Sequence, residues 1–120
     1  MLKIYVYAQC DSCRQALKWL REKKIAVEEH PIRDTPPSRA ELRQMLAAYD
    51  GKLRKLFNTA GRDYRAQSLS ETLPTLSESA ALDLLVKNGN LVKRPFLIGE
   101  GVALVGFDPA TWVNRLGFKS

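Results

Sequence analysis

The feature that most constrains this chain is a pair of cysteines placed where a predicted strand gives way to a predicted helix. Residues 2–8 form an apolar, β-branched and aromatic run that is typical of a buried strand. The run leads into Cys10-Asp11-Ser12-Cys13, whose two middle residues are common helix caps. Beyond it, apolar residues recur at helical spacing, which predicts an amphipathic helix from Cys13 to about Lys24.

The segment that follows predicts a parallel pair of strands and a largely helical middle. Residues 25–32 favour a second strand, and a strand, helix and strand within about 30 residues form a βαβ unit with parallel strands. After a proline-rich break, Ser38 and Glu41 fit a capping box that opens another helix. Residues 52–88 are predicted to be mostly helical, with the last helix there near 77–87.

The C-terminal quarter predicts a hairpin and one more helix. Two apolar runs, 95–98 and 102–105, are joined by Gly99-Glu100-Gly101, which is typical of a β-hairpin. Asp108 and Pro109 fit the cap and first position of a helix. The order of elements predicts an α/β, thioredoxin-like fold with a mixed four-stranded sheet and a helical insert at about 38–88. We expect residues 1–120 to form a single domain and to be monomeric.

Composition limits the classes of partner and the compartment. The chain has 19 basic and 13 acidic residues, a formal charge of +6, which favours an acidic partner or simply gives a positive surface. It contains no apolar run of the roughly 18–20 residues that cross a bilayer, so no membrane is expected. The N-terminal residues do not resemble a signal peptide, and we expect the protein to be cytoplasmic.

The two cysteines are best explained by redox chemistry. One C-x-x-C with His30 as the sole histidine is too little for a four-ligand zinc site, and no metal is expected. Backbone N–H groups and the helix dipole favour the thiolate at a helix start, so Cys10 is the predicted nucleophile and Cys13 the resolving thiol. The alternative is a pair of inert buried thiols. His30 is interpreted as structural or exposed.

Further candidate site residues lie beside the cysteines or before the hairpin. Arg94 precedes Pro95, and in thioredoxin-like folds a cis-proline at this point abuts the cysteine motif, although a proline also simply begins an edge strand. A guanidinium matches an oxyanion with two parallel donors, so Arg94 and Arg54 are candidate anion ligands, with a solvated surface charge as the alternative. Ser12 is a further candidate for substrate binding.

These pieces together resemble the arsenate reductase (ArsC) family, including its Spx and YffB branches. The resemblance is carried by residues 7–16, Trp19-Leu20, 93–98 and 104–108, in this order along nearly the whole chain.

In arsenate reductases a cysteine at the position of Cys10 acts with a set of arginines that hold the oxyanion, and glutathione and glutaredoxin are the reductants. The resemblance matches Arg94 to one arginine and Arg54 to another. A third arginine is expected after the hairpin, where this chain has Phe107. Loss of a forked donor weakens an anion site about tenfold or more, which counts against efficient arsenate reduction.

The C-x-x-C and the sequence around Phe107 are closer to Spx. Members of that branch bind the C-terminal domain of the RNA polymerase α subunit and use the cysteine pair as a redox switch. The resemblance places Gly51 near a glycine that matters for polymerase contact, and a glycine that ends a helix is also an ordinary C-cap.

Two functional hypotheses therefore stand beside the inert-thiol alternative. The favoured one is an enzyme, a thiol–disulfide oxidoreductase that reduces arsenate or a small disulfide. It would bind no cofactor and draw electrons from glutathione, glutaredoxin or thioredoxin. The other is a redox-switched regulator that binds the RNA polymerase α subunit.

Overall fold

The computed structural model describes residues 2–117 and contains a mixed sheet of four strands, as predicted. The strands are β1 (Leu2–Val6), β2 (Val27–Pro31), β3 (Phe96–Gly99) and β4 (Val102–Val105), in the spatial order β2-β1-β3-β4. β1 is parallel to β2 and antiparallel to β3, and β3 and β4 form the predicted antiparallel hairpin.

Six α-helices occur in the described residues, and short 3₁₀ turns join several of them. They are α1 (Asp11–Glu22), α2 (Arg39–Ala48), α3 (Arg62–Ala66), α4 (Leu69–Thr72), α5 (Glu78–Lys87) and α6 (Pro109–Leu116). The 3₁₀ segments are Leu53–Leu56, Leu73–Thr75 and Gly89–Leu91. The predicted helical insert is therefore present, and an isolated antiparallel bridge joins its Phe57 to Val92, which follows the insert.

Local sequence explains where most of these elements begin. The predicted capping box opens α2, because the Ser38 hydroxyl accepts from the Glu41 amide at 3.2 Å while Glu41 Oε1 accepts from the Ser38 amide at 3.0 Å. β1 and β2 are shorter than predicted. Val6 is the last residue of β1, and the chain turns at Ala8 and Gln9 to bring Cys10 to the helix start.

The sheet separates two apolar cores. Ile4 and Tyr5 are neighbours in β1 and point to opposite faces, as the two-residue period of a strand requires. Ile4 packs with the inner sides of α1 and α6, including Leu20 and Trp112. Tyr5 packs in the larger core beneath the helical insert, with residues such as Leu82. No helix within residues 2–117 is long and apolar enough to span a bilayer.

Candidate thiol site

Cys10 is itself the N-cap of α1. The Cys13 backbone N–H donates to the Cys10 sulfur at 3.3 Å, and the Ser12 hydroxyl lies 3.2 Å from the same sulfur. The sequence assigned the cap to Asp11 and Ser12, and that assignment is wrong, because both residues lie inside the first turn. The sulfur occupies the place of a capping oxygen, so the free amide of the helix start points at the reactive atom.

The surroundings of Cys10 favour its thiolate. Partial burial by itself raises the pKa of this thiol. Hydrogen bonds from the Cys13 thiol, the Ser12 hydroxyl and the Cys13 amide oppose burial, as does the positive charge of Arg94, and the pKa of Cys10 falls below its ordinary value. Cys10 is also partly exposed, so its sulfur is both activated and accessible.

Cys13 has the opposite character. It lies in the first turn of α1 and is 1% exposed, and its thiol hydrogen-bonds to Cys10. Burial first, and then this hydrogen bond and the charge of the neighbouring thiolate, raise the pKa of Cys13 to about 12. Both cysteines are free thiols. The pair therefore consists of an accessible acidic thiol and a buried weakly acidic one.

Arg94 and Pro95 immediately precede β3. The Arg94–Pro95 peptide bond is cis, and Pro95 is buried. Arg94 is half-buried, and its Nη2 donates to the Asn90 carbonyl at 2.8 Å. Its charge acts on both Cys10 and Cys13. Burial lowers the pKa of Arg94, but an arginine starts so far above neutrality that it remains protonated.

The structure adds Arg33, which sequence reasoning did not select. The guanidiniums of Arg33 and Arg94 lie 5.0 Å and 5.6 Å from the centre of the Tyr7 ring, and Arg33 Nη1 donates to the Tyr7 hydroxyl at 3.0 Å. Tyr7 follows β1 and Arg33 follows β2. Because the carboxyl ends of parallel strands meet at one edge of a sheet, this proximity follows from the βαβ unit.

A polar cavity of about 370 Å³ opens beside these side chains. Two of its lining residues, Tyr7 and Arg94, also belong to the surroundings of Cys10, because the Tyr7 carbonyl accepts from the Cys10 amide at 3.1 Å. The full lining is Tyr7, Arg33, Asn58, Gly61, Arg62, Asp63, Asn90 and Arg94.

Arg54 shows no contact with the cysteines among the described residues. It lies exposed in the 3₁₀ segment Leu53–Leu56 and lines two cavities, one with Tyr64 and one with Lys93, among other residues. No hydrogen bond or ion pair of the described residues connects Arg54 to Cys10 or Cys13.

Phe107 is part of an aromatic cluster. Its ring packs edge-on against Trp112 at 5.0 Å and against Trp19 at 6.1 Å between centroids. The position at which the resemblance expects a third anion-binding arginine therefore carries a ring that packs beside the α1–α6 core.

Gly51 and His30 both have local structural explanations. Gly51 adopts φ +75° just after α2, and its amide donates to the Leu46 carbonyl at 2.9 Å, as in a helix C-cap. His30 stacks on Tyr5 and pairs with Glu28 at 2.7 Å. Within residues 2–117 no three His, Cys, Asp or Glu side chains are grouped so that they could hold a metal ion.

The sheet, its flanking helices and the cysteine pair at the start of α1 define a thioredoxin-like protein with a dithiol site. The chain belongs to the ArsC family, whose family model matches residues 5–114. Both the fold and the family predicted from the sequence are thereby confirmed.

The relatives of this chain include both an uncharacterized protein and a transcriptional regulator. The uncharacterized protein YusI of Bacillus subtilis is 40% identical over 106 residues, which are 88% of this chain and 90% of YusI. The global transcriptional regulator Spx of Streptococcus agalactiae is 29% identical over 108 residues, 90% of this chain and 77% of Spx.

Solved structures agree closely with this fold. An ArsC family related protein from Bacteroides fragilis has a TM-score of 0.89 and 37% identity, with 95% of this chain and 96% of that one covered. A structure described as a possible arsenate reductase from Streptococcus mutans has a TM-score of 0.88 and 35% identity, with 98% of each chain covered.

Proposed function

We propose that this protein is a thiol–disulfide oxidoreductase in which Cys10 attacks a small disulfide and Cys13 resolves the intermediate. The observation that supports this most is the environment of the Cys10 sulfur, which receives hydrogen bonds from the Cys13 amide and from the Ser12 and Cys13 side chains. A thiolate so stabilised is the form that reacts with disulfides, and partial exposure lets a substrate reach it.

The reaction has two displacement steps. The Cys10 thiolate attacks one sulfur of R–S–S–R, forms a Cys10–S–S–R bond and releases RS⁻. Cys13 then loses its proton to a base such as the released thiolate, attacks the Cys10 sulfur and displaces the second RS⁻. The substrate gains two electrons and ends as two thiols, while the protein ends with a Cys10–Cys13 disulfide.

The opposite pKa shifts of Cys10 and Cys13 assign the roles of attacking and resolving thiol. The raised pKa of Cys13 keeps it protonated and unreactive toward outside disulfides, and the lowered pKa of Cys10 makes it the better nucleophile. Once Cys10 is in a mixed disulfide, it no longer carries a negative charge. That charge is one of the causes of the raised Cys13 pKa, so the pKa of Cys13 then falls. Resolution is therefore favoured only after the first step.

Turnover requires a reductant to reopen the disulfide. A dithiol protein such as thioredoxin or glutaredoxin, or two molecules of glutathione, supplies the two electrons and two protons. These reductants are cytoplasmic, in keeping with the compartment expected for this chain, and the reaction requires no bound cofactor.

Arsenate is the less well supported substrate within the same proposal. A structural neighbour is described as a possible arsenate reductase, and the charge of Arg94 acts at the reactive cysteine. Phe107 is packed among aromatic rings, and Arg54 lines cavities that neither cysteine lines, so Arg94 is the one arginine of the resemblance whose charge is seen to act on Cys10. A small disulfide needs no such set of donors.

Replacing Cys13 with serine tests the order of the two steps. Cys13→Ser is expected to stop after the first displacement, release one thiol per protein and retain a mixed disulfide on Cys10, because no resolving thiol remains. The wild-type protein is expected to release two thiols and end with an internal disulfide. Mass spectrometry of both proteins after exposure to glutathione disulfide measures this. An adduct on Cys13 in the wild type, or a wild-type protein left unoxidised, would contradict the proposal.

A redox-switched regulator is the second candidate, supported by the match to Spx along 90% of this chain. In this function the Cys10–Cys13 disulfide would change affinity for the C-terminal domain of the RNA polymerase α subunit. A pull-down of that domain with reduced and oxidised protein tests the candidate. Binding that changes with oxidation supports it, and absence of binding in both states removes it.

A further inference from the structure

The polar cavity beside Cys10 has the composition of an anion site. Its lining includes three arginines, Arg33, Arg62 and Arg94, and one acidic residue, Asp63. The cavity is also of the size that takes a small ligand, at about 370 Å³. Amide groups of Asn58 and Asn90 complete a lining that can both attract and orient a charged group.

The single carboxylate does not neutralise the cavity. Asp63 Oδ2 accepts from the side-chain amides of Asn88 at 2.9 Å and Asn90 at 3.3 Å, and these bonds, with the nearby charges of Arg33 and Arg62, lower the pKa of Asp63. Neutral amides thus hold this carboxylate, and none of the three arginines forms an ion pair with it among the described residues. A net positive charge is left in the cavity.

The arginines retain donors for a ligand. The side chain of Arg62, at the start of α3, makes no hydrogen bond or ion pair with any other residue in the described range 2–117. Arg33 uses Nη1 on the Tyr7 hydroxyl, and the bonds of Arg94 employ Nε and Nη2 on backbone carbonyls. The remaining N–H groups of Arg33 and Arg62 are available to a carboxylate, which a guanidinium can bind through two parallel hydrogen bonds.

The cavity is connected to the reactive sulfur through two shared residues. Arg94 lines the cavity and acts electrostatically on Cys10, and Tyr7 lines it while its carbonyl accepts from the Cys10 amide. The cavity therefore lies beside residues that also surround Cys10.

We propose that this cavity binds a carboxylate of an acidic, low-molecular-weight disulfide while one of its sulfurs is attacked by Cys10. This inference rests on the proposed thiol–disulfide function and adds the substrate class. The ligands of the carboxylate are Arg33 and Arg62, with Arg94 between the carboxylate and the thiol. Neutral disulfides are then poorer substrates than acidic disulfides of the same reactivity.

The experiment compares glutathione disulfide with its fully esterified form, in which the S–S bond is unchanged and the carboxylates are blocked. Reduced protein is mixed with each, and the second-order rate constant of Cys10–Cys13 oxidation is measured. For the wild type we expect the acid to react about tenfold faster than the ester, and high salt to reduce this ratio, because the ion pairs are partly exposed.

Arg62→Gln is expected to lower the acid-to-ester ratio of rate constants by about threefold. The matched control is Arg65→Gln, which removes another exposed arginine of α3 that does not line the cavity and should leave the ratio at the wild-type value. Circular dichroism and a count of free thiols on each variant verify that the fold and both cysteines are intact.

The possible results distinguish a failure of the carboxylate site from a failure of the proposed oxidoreductase function. If acid and ester oxidise the wild type at equal rates, or if the two arginine variants lower the ratio equally, the carboxylate site is wrong and the oxidoreductase proposal stands. If neither compound oxidises the cysteine pair, both are wrong.

Discussion

Replacing Cys10 with serine is expected to lower the rate of disulfide reduction by at least about a thousandfold. A serine hydroxyl remains protonated at neutral pH and cannot form the S–S bond that carries the two electrons. Cys13 does not replace it, because that thiol is 1% exposed and has a pKa raised to about 12. The measurement is steady-state reduction of glutathione disulfide with a thioredoxin or glutaredoxin recycling system.

Ser12→Ala is the matched control for this variant. It removes the hydroxyl that lies 3.2 Å from the Cys10 sulfur but leaves both thiols in place. Loss of one hydrogen bond to the thiolate raises the pKa of Cys10, while the less acidic thiolate becomes a stronger nucleophile. The two effects partly cancel, and we expect only about a threefold loss. A Cys10→Ser protein as active as Ser12→Ala would show that the chemistry lies elsewhere.

Gly89→Ala is expected to destabilise the fold by about 3 kcal/mol or more. A Cβ added at Gly89 would lie 1.8 Å from the Ile32 carbonyl oxygen and 2.9 Å from the Arg33 Cα. Both contacts are with backbone, which cannot rotate away as a flexible side chain would. The main chain after β2 must therefore move, and with it Arg33. Denaturant unfolding followed by circular dichroism measures the loss.

Gly101→Ala is the control for this prediction. Gly101 lies in the turn of the β3–β4 hairpin at φ +74°, and a Cβ there meets no atom within 4 Å. Gly101→Ala is expected to lower the free energy of unfolding by about 1 kcal/mol, because alanine is strained in the left-handed conformation. If Gly89→Ala were no more costly than Gly101→Ala, the close approach of Gly89 to the Ile32 backbone would not contribute to stability as described.

Most of the fold could be predicted because its elements are specified by local patterns. The apolar strands, the capping box at Ser38 and Glu41, and the glycine turn of the hairpin each depend on residues close in sequence. The predicted ends of the helices and strands are less accurate. α1 begins at Asp11 and not at Cys13, because a cysteine sulfur caps it, and cysteine is not among the usual capping residues.

The candidate site was only partly predictable for a related reason. Cys10 and Cys13 could be selected from their spacing and their place at a strand–helix junction. The proximity of Arg33 to Tyr7 depends on the alignment of β1 with β2, and that of Arg62 to Asn90 depends on the path of the helical insert. Such contacts between distant segments leave no periodic pattern. The resemblance also points to Arg54, which lines two cavities that neither cysteine lines.

The central claim is that the fold activates Cys10 as a thiolate, and the pH dependence of its alkylation tests this most directly. Reduced wild-type protein is reacted with iodoacetamide from pH 5 to 10, and the labelled cysteine is identified by mass spectrometry. The same chain unfolded in denaturant supplies the reference. We expect Cys10 to be labelled first, with a pH midpoint below that of the unfolded chain, and folded Cys13 to stay unlabelled. A Cys10 midpoint equal to or above the unfolded value would contradict it.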